Sequence, residues 1–252
     1  MHKLKLEFMP EATHKNFARL KGDARLAGFT LVGGTALALQ IGHRFSEDLD
    51  FYIFGQKLPL KAIDGLLDEL AAGGTTIESL ITSEQKLVFK INTSENLDHY
   101  IQDYLIDGAK VTFHSRNESD RPKAQIDFLK SAPKVLVSKG CFDVLGIDGL
   151  LVMKSIVVYD RVKSRDIYDL MVLTRDHAYT LEDIFAAIDA YQPIRNKDPE
   201  HFKNVVTGVI ALDKDDEGFS SIHLNVKMND VYKYFKKLIN DYEVRVVQQL
   251  RP

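Results

Sequence analysis

Leu31-Val32-Gly33-Gly34-Thr35-Ala36-Leu37-Ala38-Leu39-Gln40-Ile41-Gly42-His43-Arg44-Phe45-Ser46-Glu47-Asp48-Leu49-Asp50-Phe51 is the stretch that decides how the chain is read. Phe29 to Val32 is a short apolar run that Gly33-Gly34 stops, the signature of a strand entering a tight turn. Thr35 is placed to cap a short helix, Ala36 to Ile41, which Gly42 ends. Leu49 to Phe54 is rich in β-formers and reads as a second strand, its Asp50 and Tyr52 alternating with Leu49, Phe51 and Ile53. A glycine turn lets backbone approach a ligand closely, because no Cβ blocks it, and the free amides opening a helix favour anions such as phosphate. The Gly-Lys-Ser/Thr ending of a P-loop is missing, and so is the Gly-x-Gly-x-x-Gly of a dinucleotide fold.

Asp48 and Asp50 stand one residue apart at the start of the second strand, so both carboxylates face the same side, their Cα atoms roughly 6.5–7 Å apart. That span suits joint coordination of one or two divalent cations, which two-metal enzymes keep about 3.5–4 Å apart. Mg²⁺ (or Mn²⁺) takes oxygen ligands and retains waters and substrate phosphates in its shell. A Gly-Gly turn alone reads as an ordinary turn, and a lone Asp-x-Asp as a solvated strand start. Only a short helix separates the two here, and the combination favours a nucleotide and metal site.

Outward from this stretch the first 140 residues mix helix and strand signals. Pro10–Leu26 and Leu58–Ala72 read as helices, the second ended by Gly73-Gly74. Strands are expected at Ile77–Ser83, Leu87–Ile91, Tyr100–Ile106 and Lys110–His114, with short closing strands at Ile126–Leu129 and Lys134–Val137. Asn117 to Ala124 is polar, contains Arg121-Pro122 and reads as a loop. From Val144 the pattern turns helical: Gly149–Asp160, Arg165–Thr174, Leu181–Tyr191, Glu200–Ile210 and Met228–Leu250, with breaks at Gln192-Pro193 and Asp213–Gly218. The expected division is residues 1–142 and 143–252.

The 252 residues carry a net charge of −3, with 45% hydrophobic and 27% charged residues. That is an ordinary globular composition without global attraction to nucleic acid, so a polynucleotide substrate would need a local basic patch. The single cysteine, Cys141, excludes an internal disulfide framework, fits a reducing compartment and reads as a small core residue. No apolar run reaches the roughly 18–20 residues that span a bilayer, and the start Met1-His2-Lys3-Leu4-Lys5 is charged, so a cytoplasmic location without membrane contact is expected.

The run from Gly33 to Phe51 closely resembles the opening motif of the AbiEii/AbiGii toxin family, nucleotidyltransferases of the DNA polymerase β-like superfamily. The family pattern of Gly-Gly-Thr-Ala-Leu-Ala-Leu, then His-Arg, Ser and Asp-Leu-Asp-Phe is matched at each element. The resemblance implies that Gly33, Gly34 and Thr35 grip the triphosphate, that Asp48 and Asp50 hold Mg²⁺, and that His43, Arg44 and Ser46 border the nucleotide. For His43 and Arg44 a plain helix C-terminus is the competing explanation. The resemblance covers residues 30–54 and, more loosely, 148–171, where Lys154 and the run Arg161-Val162-Lys163-Ser164-Arg165-Asp166-Ile167-Tyr168-Asp169-Leu170 match a helix bearing a lysine and an arginine-rich turn.

Lys154 is the lone charge in an apolar helix and must snorkel, pair or face a polar cleft. A place at the nucleotide phosphates, as a catalytic cation oriented by Asp166 and Asp169, competes with a structural salt bridge. Arg161, Lys163 and Arg165 either contact phosphates or solvate a turn. Lysines and aromatics interleave along the last helix, from Lys227 through Tyr232, Lys233, Tyr234 and Phe235 to Tyr242, and an inward-packing aromatic face is favoured over a base-stacking one. Superfamily members carry a third acid on a neighbouring strand; the corresponding run here is Gly108-Ala109-Lys110-Val111-Thr112, with Thr112 at the acidic position. Asp127, in Gln125-Ile126-Asp127-Phe128, is the fallback, and an ordinary strand-edge aspartate is the competing explanation.

The expected fold is α+β, a nucleotidyltransferase core with a mixed sheet flanked by helices, followed by a helical C-terminal region. The expected reaction is transfer of a nucleoside monophosphate from an NTP to a hydroxyl, such as an RNA or tRNA 3′ end, by the toxin of a toxin–antitoxin or phage-defence pair with a cognate antitoxin. A metal-dependent nuclease and a nucleotide-binding protein of the same fold without catalysis are the alternatives.

Overall fold

The computed structural model describes residues 4–54, 57–115, 123–192, 198–220, 222 and 224–249. It divides into two compact units, Met1–Leu150 and Leu151–Pro252, with the division inside one helix. In chain order the first unit contains α1 (Glu11–Leu20), β1 (Thr30–Val32), α2 (Gly33–Ile41), β2 (Leu49–Ile53), α3 (Leu60–Ala72), β3 (Ile77–Ser79), α4 (Ser83–Thr93), β4 (Ile101–Ile106), β5 (Ala109–Ser115), α5 (Lys123–Ser131), β6 (Lys134–Leu136), β7 (Asp143–Leu145) and the start of α6 (Ile147–Val157). The strands form one seven-stranded sheet in the order β3-β4-β5-β2-β1-β7-β6. It is mixed: β1 runs parallel to β7 and β2 parallel to β5, whereas β1–β2, β3–β4, β4–β5 and β6–β7 are antiparallel. The architecture is α+β, as expected.

Paired residues on neighbouring strands project to the same face of a sheet. One face carries Leu31, Phe51 and Phe113 in a register row, all fully buried. Phe51 stacks on Phe113 with centroids 5.7 Å apart, and Phe142 meets Phe51 edge-on at 4.8 Å. Phe17 of α1 meets Phe142 edge-on at 5.6 Å, which anchors α1 to this face. Such rings bury large apolar areas, and their edge-to-face pairs add about 0.5–1.5 kcal/mol beyond burial. The opposite face carries Asp50, Tyr52, Thr112, His114 and Asp103. The alternation of β2 therefore holds: apolar residues face the core and Asp50 faces away from it.

Several expected elements differ. The helix expected over Pro10–Leu26 stops at Leu20; Gly22 follows, and Ala24–Leu26 is a separate 3-10 turn capped by Asp23. Leu87–Ile91 is not a strand but lies within α4, because Thr82 and Gln85 form a capping box: Gln85 N donates to Thr82 Oγ1 at 3.2 Å, and Thr82 N to Gln85 Oε1 at 2.8 Å. Ile126–Leu129 is likewise helical, the i, i+3 spacing of buried Ile126 and Leu129 placing both on one face of α5. The strand expected over Ile77–Ser83 shortens to Ile77–Ser79, and Asp143–Leu145, expected to open the helical region, forms β7 beside β1. The loop expected at Asn117–Ala124 lies, up to Pro122, outside the described residues, as does Pro193.

The second unit is helical: the rest of α6, then α7 (Ser164–Asp176), α8 (Leu181–Tyr191), α9 (Pro199–Val206) and α10 (Met228–Gln249). Capping boxes and caps set their starts, with Thr180 opening α8 and Asp198 opening α9. The expected helix Glu200–Ile210 ends early, at Val206. Phe235 of α10 is fully buried and meets Phe202, Tyr242 packs edge-on against Phe185, and Tyr234 donates from its hydroxyl to Thr174 Oγ1 at 3.1 Å. The aromatic face of α10 thus packs inward, which leaves no base-stacking platform along these three rings.

Candidate active site

Gly33 has φ +75, a conformation that L side chains rarely adopt, and a Cβ at this position would lie 2.6 Å from Asp50 Oδ2. β1 and β2 pair antiparallel with Val32 opposite Asp50, so the turn leaving β1 arrives directly against that carboxylate. A Cβ on Gly34 would collide with the Arg44 guanidinium and stand 3.2 Å from Ser46 Oγ. The two glycines are therefore the space in which Asp50, Arg44 and Ser46 converge.

Helix α2 starts at Gly33 with Val32 as its N-cap, so Thr35 lies inside the first turn and does not cap it. Its side chain is used otherwise. Thr35 Oγ1 donates to the backbone carbonyl of Asp48 and lies 2.8 Å from Ser46 Oγ. A hydroxyl has one proton, so Ser46 donates to Thr35, which donates to Asp48. Thr13 Oγ1 donates to the Glu47 carbonyl at 2.6 Å. These bonds fix the segment from Ser46 to Asp48 and so set the entry of β2. Thr35 and Ser46 are buried supports of the two aspartates rather than surface ligands.

Arg44 follows the C-terminus of α2 in sequence, yet its buried guanidinium rests against Gly34 at the helix N-terminus. The chain doubles back after Gly42, which is left-handed at φ +68. A cation at the C-terminus would be ordinary; one at the positive end of the helix dipole is favourable only where an anion joins it. His43 is half-buried in the same segment. Asp48 and Asp50 are also half-buried. Positive and negative groups thus border the glycine turn from two sides, the arrangement that a phosphate bridged by a cation to carboxylates requires.

Among the described residues no group of three or more His, Cys, Asp or Glu side chains gathers as a metal site. The donor set is a pair of carboxylates, one of them packed so close to Gly33 that a Cβ there would lie 2.6 Å from Asp50 Oδ2, and two carboxylates fit a hard cation that keeps waters and substrate oxygens as its remaining ligands. Asp127 does not join this sheet. It lies on α5, half-exposed and 2.7 Å from Lys123 one helical turn away, so the strand on which its candidacy as third acid rested is absent.

In the second unit Lys154 is buried, its side chain only 6% exposed, with Nζ 2.5 Å from Asp166 Oδ1 and 2.7 Å from Asp169 Oδ2. Arg161 Nε donates to Asp166 Oδ2 at 2.9 Å. Burial alone would raise the Asp166 pKa, but the neighbouring Lys154 and Arg161 hold it below the usual carboxylate range. These four groups balance in charge. The basic turn is also neutralised: Lys163 pairs with Asp215 at 2.5 Å and Arg165 with Glu217 at 2.8 Å. Asp216 Oδ1 accepts from Ser164 N at 2.9 Å at the start of α7. The acidic stretch Asp213–Gly218 was a mere break in the sequence pattern; it is the partner of the basic turn, which the alternation of sign in the two segments could have suggested.

An alanine at Gly33 is expected to cost about 1–3 kcal/mol, from left-handed strain and displacement of Asp50. Thermal unfolding and nucleotide transfer measured together check this: transfer falls much further than stability if the space belongs to the site, and the two fall together if the turn is only structural.

Comparison with known proteins gives the family and the fold. The family described as Nucleotidyl transferase AbiEii toxin, Type IV TA system, matches residues 19–223. An uncharacterized protein of Aquifex aeolicus (strain VF5) is 27% identical over 216 residues, covering 85% of this chain and 87% of its own. A crystal structure from H. pylori, described provisionally as a nucleotidyltransferase, superposes with a TM-score of 0.50 at 16% identity, covering 96% of this chain and all of its own, and so shares the fold. A match over residues 19–223, most of the chain, places the protein in the AbiEii nucleotidyl transferase toxin family of type IV toxin–antitoxin systems.

Proposed function

We propose that this nucleotidyltransferase moves a nucleoside monophosphate from an NTP to a hydroxyl, with an RNA or tRNA 3′ end as acceptor, in a Mg²⁺-dependent reaction, and that a cognate antitoxin restrains it in the cytoplasm. The observation that carries this reading is the meeting of Gly33, Gly34, Asp50 and Arg44: a glycine turn at a helix N-terminus, closed by an aspartate on one side and a guanidinium on the other. The amides of Gly33, Gly34 and Thr35 and the Arg44 guanidinium bind the triphosphate. His43 borders the nucleotide, and Ser46 and Thr35 hold Asp48 in place. Asp48 and Asp50 would hold the cation, which when bound neutralises charge developing on the phosphates.

Lys154 and Asp166 enter this reading as a pre-paired group. With Asp166 and Asp169 already on its ammonium, Lys154 positions α6 against α7, and turns toward a phosphate only where substrate draws an aspartate away. Arg161, paired with Asp166, is the half-exposed member of this group.

The test incubates α-labelled NTPs and Mg²⁺ with total RNA and compares the wild type with Asp48→Ala. Label on RNA from the wild type alone supports transfer. RNA shortened without NTP points to a nuclease, and NTP bound without label in any RNA or protein pool points to a binding protein that lacks chemistry.

A further inference from the structure

A hydroxyl that attacks a phosphorus must lose its proton, and Asp48 and Asp50 are committed elsewhere when they face the triphosphate and its cation. The sheet supplies another carboxylate. Thr112 of β5 stands beside Asp50 in register, and Asp103 of β4 stands beside Thr112. The three project to one face, opposite the Phe51–Phe113 core, as a row across neighbouring strands. Two interstrand spacings put the Asp50 and Asp103 Cα atoms roughly 9.5–10 Å apart. At that separation a phosphate and a hydroxyl can lie between the two carboxylates, and among the described residues they are not part of a group of three or more metal-ligating side chains.

Two polar atoms of this row are buried without a hydrogen-bond partner among the described residues: Thr112 Oγ1 and Asp103 Oδ1. Thr112 is only 3% exposed. Each such atom costs about 1–3 kcal/mol while it stays unpaired. Their adjacency marks a place where one external polar group satisfies both. Asp103 Oδ2 is engaged separately, 3.4 Å from Lys110 Nζ, which leaves Oδ1 for the ligand.

We infer that Asp103 is the catalytic base, with Thr112 Oγ1 hydrogen-bonded to the same acceptor hydroxyl. The hydroxyl proton passes to Asp103 Oδ1 as the hydroxyl oxygen bonds to the α-phosphorus. The bond from that phosphorus to the β-phosphate oxygen breaks, its electron pair leaves with pyrophosphate, and Asp103 releases the proton to water. This assignment rests on the transferase reading above.

The experiment measures kcat against pH, and Mg–NTP affinity by calorimetry, for wild type, Asp103→Asn, Asp103→Glu and Lys110→Met. Asp103→Asn is expected to lose about 10²–10⁴-fold in kcat, keep its Mg–NTP affinity and lose the acid limb of the profile. Lys110→Met is expected to keep most of its activity, and Thr112→Asp in the Asp103→Asn background to regain part of the lost rate. Wild-type kcat and an unchanged pH profile in Asp103→Asn overturn the assignment while the transferase reading stands. If Asp103→Asn does not fold, an Asp103→Glu enzyme of unaltered rate and profile overturns it equally. A Lys110→Met enzyme as impaired as Asp103→Asn reduces Asp103 to an ion-pair role and also overturns it. A wild type that labels no acceptor removes the transferase reading and this assignment together.

Discussion

Asp48→Asn and Asp50→Asn are each expected to lower nucleotide transfer by about 10³-fold or more while the protein still folds. The two effects have one origin. Asp50 projects from the face of β2 away from the aromatic core and Asp48 stands two residues before it, just outside the strand, and two like charges so close repel one another when no cation lies between them. Neutralising one relieves that repulsion, and an amide of the same shape keeps hydrogen-bonding capacity, so the fold is retained. In the reacting complex the same change removes half of the donor pair for the cation that offsets phosphate charge. Side-by-side melting curves and transfer rates check the prediction. A variant that loses activity and melts much earlier would make the pair structural, and a variant with full activity would take it out of the site.

Lys154→Met is expected to destabilise the protein by about 3–5 kcal/mol, because Asp166 and Asp169 then stay buried without their shared cation. Its pH dependence separates this cause from loss of packing. In the wild type, Asp166 has a lowered pKa, so its contribution to stability is present above the ordinary aspartate value and is lost as pH falls through the still lower folded value. In Lys154→Met the largest opposing influence on Asp166 is gone and burial works against Arg161 alone, so the Asp166 pKa rises and the variant loses less stability than the wild type as pH falls. Adding Asp169→Asn removes one of the two buried negative charges that Lys154 had balanced and is expected to recover part of the loss. Denaturant unfolding at neutral and mildly acidic pH reads both effects; equal destabilisation at both pH values would point to packing alone.

The centre of the site was legible because its chemistry is local. A glycine pair after an apolar run, then Asp-x-Asp in a strand, keeps its meaning within 20 or so residues, and the period-2 alternation of β2 correctly aims Asp50 away from Phe51. Strand–helix confusion arose where short apolar runs fit both periods. Leu87-Val88-Phe89 resembles a buried strand, and only the Thr82–Gln85 capping box decides for a helix. The reach of Arg44 back to Gly34 depends on the left-handed Gly42, and sequence proximity to the end of α2 pointed to the opposite helix end. Register was out of reach. Asp103 and Thr112 are nine positions apart in sequence, and only the β4–β5 pairing makes them neighbours. A sequence motif thus located Thr112 as an acid missing from its strand, while the carboxylate that stands next to it belongs to a strand with no motif of its own.

Parallel reactions with NTP labelled at the α- or the γ-phosphate distinguish transfer from every other use of the nucleotide. The α-label is expected to join the acceptor while the γ-label is released as pyrophosphate in equal amount, and both signals vanish in Asp50→Asn. Retention of the γ-label on the acceptor, or acceptor cleavage with neither label transferred, would contradict transfer.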